Sequence, residues 1–202
     1  TATDPAPAWV LPGEPVPLRL MNTIWADRSG VHDALDSPQN LSDWLQAVGL
    51  AGVPVAVTED DLATGRRLRD ALRRLAALLT EDGRPAAVSA TNDLTVAIRE
   101  VNAVASNAPG PRLRLHEGVL MRATTPPGSP APAALAAVAT ESIDLLTGAD
   151  APLLRACYAP GCVLYFVKDH PRREWCSTAC GNRARAARHY ARHPRRASAT
   201  EN

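Results

Sequence analysis

The sequence predicts an α+β protein: a mainly helical domain with a small β-hairpin over residues 18–150, then a compact cysteine-bearing module over 151–196. Three observations predict it. Leu68, Leu72, Leu75 and Leu79 recur at helical spacing behind an acidic start. Arg112 to His116 alternates polar and apolar residues and runs into Glu117-Gly118, the pattern of a strand and its turn. All four cysteines fall between 157 and 180 of a 202-residue chain.

Composition supports this reading. Apolar residues are 46% of the chain, but it holds one Phe, three Tyr and four Trp. A core must therefore rest on Leu, Val and Ala, which favours helices. No run of about 18 apolar residues occurs, so no membrane span is expected. Residues 1–17 are Pro-rich and read as an extended arm, and 197–202 as a tail. The arm lacks a basic start and an apolar stretch, so it does not read as a signal peptide. A cytoplasmic location is expected.

The elements follow in order. Leu18 to Trp25 is a short apolar element of either type, and residues 26–39 read as a loop. Asn40 or Ser42 is expected to cap a helix through Leu41, Trp44, Leu45 and Val48, ended by Gly49 or Gly52. Thr58 to Thr80 is the clearest helix, with Thr58 as N-cap and Glu59, Asp60 and Asp61 at its positive end. Its Arg66, Arg67, Arg69, Arg73 and Arg74 are expected on a solvated face. A further helix is expected over 86–106, with Leu94, Ile98, Val101 and Ala105 on one face. Residues 112–116 and 119–123 form a half-buried hairpin in this reading. Ser129 and Pro130 open a last helix of the domain, which stops at Gly148.

The cysteine module starts with Cys157 and Cys162 around Tyr-Ala-Pro-Gly, where Pro160 and Gly161 allow a sharp turn. Val163 to Val167 is β-rich, and Arg172 to Trp175 is expected to return as its partner strand. Cys176 and Cys180 stand four apart and share one face of a helix start. A turn with two ligands, a hairpin and a helix with two more is the order of a treble-clef zinc module. Four clustered thiols in a reducing compartment favour one structural zinc ion on Cys157, Cys162, Cys176 and Cys180. Disulfides and an iron–sulfur cluster are the other chemistries such thiols permit. His170, His189 and His193 are substitute ligands that four cysteines make unnecessary.

Charge is divided unevenly. Residues 1–154 carry 12 Arg against 18 Asp and Glu, net −6. Residues 155–196 carry nine Arg and one Lys against Asp169 and Glu174, net +8. Arg185, Arg188 and Arg192 repeat at helical spacing, with Arg183 before them and Arg172 and Arg173 upstream. Guanidinium groups suit phosphate. A basic stripe on a small zinc module therefore points to nucleic acid, DNA first. RNA, a protein partner and a solvated helix face are the alternatives.

Trp175-Cys-Ser and Cys180-Gly-Asn-Arg183, with the two upstream cysteines and the basic helix, resemble the signature of the CGNR zinc-finger family. Arg185 stands where that family carries Lys. Leu20-Met-Asn22-Thr23, Asp33-Ala-Leu35 and Leu41-Ser-Asp-Trp44-Leu45 resemble the start of the ABATE domain that often precedes the finger. The resemblance implies a bacterial DNA-binding regulator of stress-induced transcription, with an N-terminal domain that senses a ligand.

Two small motifs keep two readings each. Asn22 and Thr23 line a ligand pocket, or else cap a helix or make a core hydrogen bond. Asn182 contacts a base edge or ties the metal knuckle to its hairpin. The expected function is transcription regulation through DNA, with a small-molecule effector and a homodimer as further partners and no membrane. No Ser-His-Asp order, phosphate loop or HExxH marks an enzyme. A zinc-stabilised protein-interaction module and a small-molecule-binding protein are the rival functions.

Overall fold

A computed structural model describes residues 11, 13–27, 29–84, 90–124 and 129–192. The expected tail and most of the expected arm lie outside them, as does His193. The short apolar element is a helix, α1 (Val16–Met21), followed by strand β1 (Ile24–Ala26). The segment expected to be a loop holds β2 (Val31–Asp33), antiparallel to β1. Trp25 faces His32 across this pair and their rings stack at 4.4 Å. Three-residue strands are too short to show a period of two, which is why the pattern was hidden.

Helix α2 (Pro38–Ala47) is capped by Ser37, not by Asn40 or Ser42. The Asn40 amide donates to Ser37 Oγ, and Pro38 fills the first turn, where no amide donor is needed. Ser42 is buried instead. Its hydroxyl donates to the Val55 carbonyl and accepts from the Val55 amide, holding the extended 51–58 segment against α2.

Helix α3 (Glu59–Leu79) has the Thr58 cap, closed into a capping box by Asp61. Two of its five arginines correct the solvated-face expectation, while Arg67 is exposed as expected. Arg69 is buried between Asp33 and Asp70, and Arg73 is only 1% exposed. Helix α4 (Leu94–Ala105) starts at Asp93, whose carboxylate accepts from the Thr95 and Val96 amides. It buries Ala97, Val101 and Val104 and leaves Ile98 exposed, so its packed face is rotated from the expected one.

Strands β3 (Pro111–His116) and β4 (Val119–Thr124) form the expected hairpin. Glu117 and Gly118 both have positive φ, 49° and 79°, as a two-residue hairpin turn requires. The hairpin is exposed on both faces, however, not half-buried. Helix α5 (Pro130–Thr147) ends at Gly148 as expected.

The last segment pairs differently from expectation. Strand β6 (Tyr165–Val167) takes β5 (Leu154–Ala156) as its partner, and residues 172–175 are not a strand. The cysteine turn is therefore the tip of a hairpin that begins before Cys157. Helix α6 (Thr178–Arg192) follows.

One core joins α1 to α5 around α3 and continues into Leu154, Ala156, Tyr165 and Val167. A second, smaller core holds Leu11, Ala159, Leu164, Phe166 and the four cysteines, with Trp25 and Trp175 packed against it. Residues 164–167 serve both. Side chains along a strand alternate in direction. Tyr165 and Val167 enter the main core, while Leu164 and Phe166 enter the cysteine core.

Candidate metal centre

The chain turn between Cys157 and Cys162 is set locally. Gly161 takes φ 72°, and the Cys162 amide donates to the Ala159 carbonyl at 2.9 Å. The Cys157 amide donates to the Leu164 carbonyl, so the two cysteines face each other across the hairpin end. Cys176 sits in the loop before α6, and Cys180 lies in its first turn. Ser177 accepts from the Cys180 amide at 3.2 Å and orients that turn.

The four sulfurs all lie within 4.8 Å of one another and every cysteine is buried. Cys162 and Cys176 sulfurs are 3.8 Å apart, and those of Cys176 and Cys180 3.3 Å, far beyond a disulfide bond. A tetrahedron of Zn–S bonds near 2.3 Å has edges of about 3.8 Å. The donor set therefore fits one structural zinc ion.

The thiol chemistry agrees. Hydrogen bonds from Cys162 and Cys176 hold the Cys157 thiol down to about 7. Hydrogen bonds from Cys157, Cys162 and Cys176 lower Cys180 as well. Cys162 and Cys176 are pushed up, each first by Cys157. Four thiolates cannot share so small a space without a cation, and a dipositive ion removes that restriction. Such an ion binds thiolate and releases protons, contributing about 10–16 kcal/mol of apparent free energy in small zinc modules.

Around the sulfurs, Arg183 donates to Cys180 Sγ at 3.0 Å. A Cβ on Gly181 would stand 3.1 Å from Trp175 Cδ1, so the glycine lets that ring lie against α6. Asn182 is exposed and its side-chain Oδ1 accepts from Arg185, so it does not tie the knuckle to the hairpin.

The N-terminal part grips the centre through backbone carbonyls. Arg84 donates to the Cys157 carbonyl at 2.6 Å and the Cys162 carbonyl at 2.9 Å, while Asp82 holds its other side. The Tyr158 ring lies 4.3 Å from this guanidinium. The hydrogen bond to Asp82 raises the Arg84 pKa. Burial works against the Asp82 carboxylate, but the bonds from Arg84 lower its pKa overall. Arg73 reaches the Val163 and Met21 carbonyls, and burial lowers its own pKa. Asp82 lies two residues from Arg84, but the carbonyls that Arg84 and Arg73 reach are many positions away, so no local sequence signal marks these contacts.

The candidate nucleic-acid residues divide into two groups. Arg172, Arg185, Arg188 and Arg192 are exposed. Arg173 is turned inward: it pairs with Glu14 and Asp169, donates to the Val167 and Cys176 carbonyls, and lies over the Phe166 ring. Arg183 is exposed as well, with one of its nitrogens on the Cys180 sulfur. His170 and His189 are exposed and stand outside the sulfur cluster.

Asn22 and Thr23 are fully buried. The Asn22 amide pairs with the Tyr165 backbone, and the Thr23 hydroxyl donates to the Leu20 carbonyl. The core hydrogen bond, not a ligand pocket, is what the geometry carries for this pair.

Comparison with known proteins found two family matches. The ABATE family, described as "putative stress-induced transcription regulator", matches residues 14–149. The CGNR zinc finger matches residues 154–193. No curated protein matches the chain. With the first match covering well over half of its length and the four-sulfur centre lying inside the second, the chain belongs to the ABATE family and carries a CGNR zinc finger that holds one structural zinc ion.

Proposed function

We propose that this chain is a cytoplasmic, DNA-binding transcription regulator of the stress response, with α6 as its DNA-contacting element. The observation that carries the reading is the exposure of residues 185–192. Cys180, Gly181 and Ala184 anchor the start of α6, and residues 185–192 are exposed. That exposed length holds Arg185, Arg188 and Arg192 and no acidic residue. Phosphates are the natural partner of such a surface. Zinc has a positioning role: it fixes where the helix leaves the body.

No helix among the described residues is long and apolar enough to cross a membrane. The reading is also non-enzymatic. Asp27, Ser29 and His32 do meet on the β1–β2 turn, but both oxygens approach the same ring nitrogen, His32 Nε2. A proton relay instead uses the two ring nitrogens separately.

Binding of labelled duplex DNA across a salt series tests the proposal. Replacing Arg185, Arg188 and Arg192 with Ala is expected to reduce the slope of log affinity against log salt by about 2.7, at about 0.9 per phosphate contact. Unchanged affinity and slope in a folded, zinc-loaded triple variant would remove α6 from the interface.

A further inference from the structure

A cleft of about 260 Å³ opens where the ABATE region meets the zinc-finger hairpin. Phe166 and Ala156 are the buried part of its lining, and Thr80 at the C-terminal end of α3 belongs to it too. Arg155 opposes Phe166 in the β5–β6 register, and opposed residues share a face. Lys168 stands two positions beyond Phe166. Its amide donates to the Leu153 carbonyl, so the ladder continues and places Lys168 on the same face.

Four charged residues line the cleft: Arg155, Lys168, Arg173 and Glu174. They are not equally engaged. Arg173 is balanced by Glu14 and Asp169 and donates to two backbone carbonyls. Arg155 spends only Nη1, on the Pro152 and Leu154 carbonyls, which leaves Nη2 and Nε. The Lys168 ammonium has no hydrogen bond or ion pair among the described residues, and neither has the Glu174 carboxylate. Arg155 and Lys168 therefore stand against Glu174 with an excess of one positive charge. Glu174 is exposed, whereas Lys168 is half-buried.

A half-buried ammonium gives up part of its water and here gains no protein acceptor in return. An oxyanion supplies what is missing, because its oxygens accept from an ammonium and a guanidinium edge at once. The volume lies just below the usual range for drug-sized ligands, which suits a small molecule. Duplex DNA fits less well than a single anion, since Glu174 would face its row of phosphates.

We propose that this cleft binds a small oxyanion, the phosphate or carboxylate group of a free small molecule, between Lys168 and Arg155. An occupant would touch both family regions. Thr80 belongs to the ABATE match, Tyr158 in the wall follows the ligand Cys157, and Glu174 stands two positions before the ligand Cys176. The inference rests on the cleft and not on DNA binding.

Lys168 is the only lysine in the sequence, so feeding lysine labelled with 13C at Cε places a single reporter in the unmodified chain. Its NMR signal in the full, zinc-loaded protein is followed while inorganic phosphate, acetate or chloride is added at matched ionic strength. A saturable shift with phosphate or acetate, and none with chloride, is expected. Arg155→Met should weaken the binding about tenfold, since it removes a charge-assisted donor. Glu174→Gln should strengthen it about twofold, since it removes a repelling charge from an exposed site. Circular dichroism and zinc content check that both variants are folded. No saturable shift, or the same shift with chloride, overturns the proposal. So does binding that neither variant alters. A shift produced by duplex DNA but by neither small anion overturns it as well and assigns Lys168 to the DNA interface.

Discussion

The side chain of Asn22 pairs with the backbone of Tyr165 as a neighbouring strand would. Its amide group donates to the Tyr165 carbonyl and its oxygen accepts from the Tyr165 amide, both at 2.9 Å. The two residues are 143 positions apart, in the ABATE domain and the zinc-finger hairpin, and both are fully buried.

Asn22→Leu should therefore destabilise the whole chain. It leaves a buried donor and a buried acceptor unpaired, each costing about 1–3 kcal/mol. Urea unfolding is expected to show a loss of about 2–4 kcal/mol. Asn22→Asp keeps the acceptor but loses the donor, and should also destabilise. A variant as stable as wild type would contradict the pairing.

Arg84 should govern how tightly the zinc is kept, although it touches no sulfur. It holds the carbonyls of Cys157 and Cys162, and outer partners of a metal site typically contribute about 10–100-fold in affinity. Arg84→Leu is expected to release zinc to a competing chelator at a correspondingly lower chelator concentration. Equal retention would leave Arg84 with a packing role alone.

Metal removal should cost more than the finger. The cysteine core shares the 164–167 segment with the main core, so chelation is expected to lower the thermal midpoint of the ABATE domain as well. Calorimetry with and without chelator reads this. A main-core transition at an unchanged temperature would mean the two cores are uncoupled.

Asp82 should make stability depend on acid. Its folded pKa lies below its ordinary value of about 3.9, so its contribution is present above that pH. The contribution is lost as pH falls from about 4 through the folded value. Asp82→Asn should already be less stable near pH 7, and its stability should fall less steeply in that acid window. Parallel curves for the two proteins, from denaturant melts between about pH 6 and pH 2, would rule this out.

Much of the site was legible because its information is local. The ligand spacing, the Pro160-Gly161 turn and the arginines of α6 all lie within 157–192. The same holds for the Thr58 cap, the Glu117-Gly118 turn and the stop at Gly148. What misled was position relative to the body. Arg73 and Arg173 look like any surface arginine, yet one enters the main core and the other holds Glu14. Ile98 fits a helical stripe but faces outward, and the β3–β4 alternation describes a half-buried hairpin whose residues 113–122 are all exposed.

The amino-acid order alone determined the metal ligands, the basic helix, the ends of α3 and α5 and the class of the fold, since caps, turns and chelate spacings act over a few residues. Only the tertiary structure decided which strand pairs with β6, which arginines are structural, and that two cores share one strand. Those outcomes depend on burial, and burial is set in large part by residues far apart in the chain, such as Arg84 with Cys157, Asn22 with Tyr165 and Glu14 with Arg173, that no local pattern links.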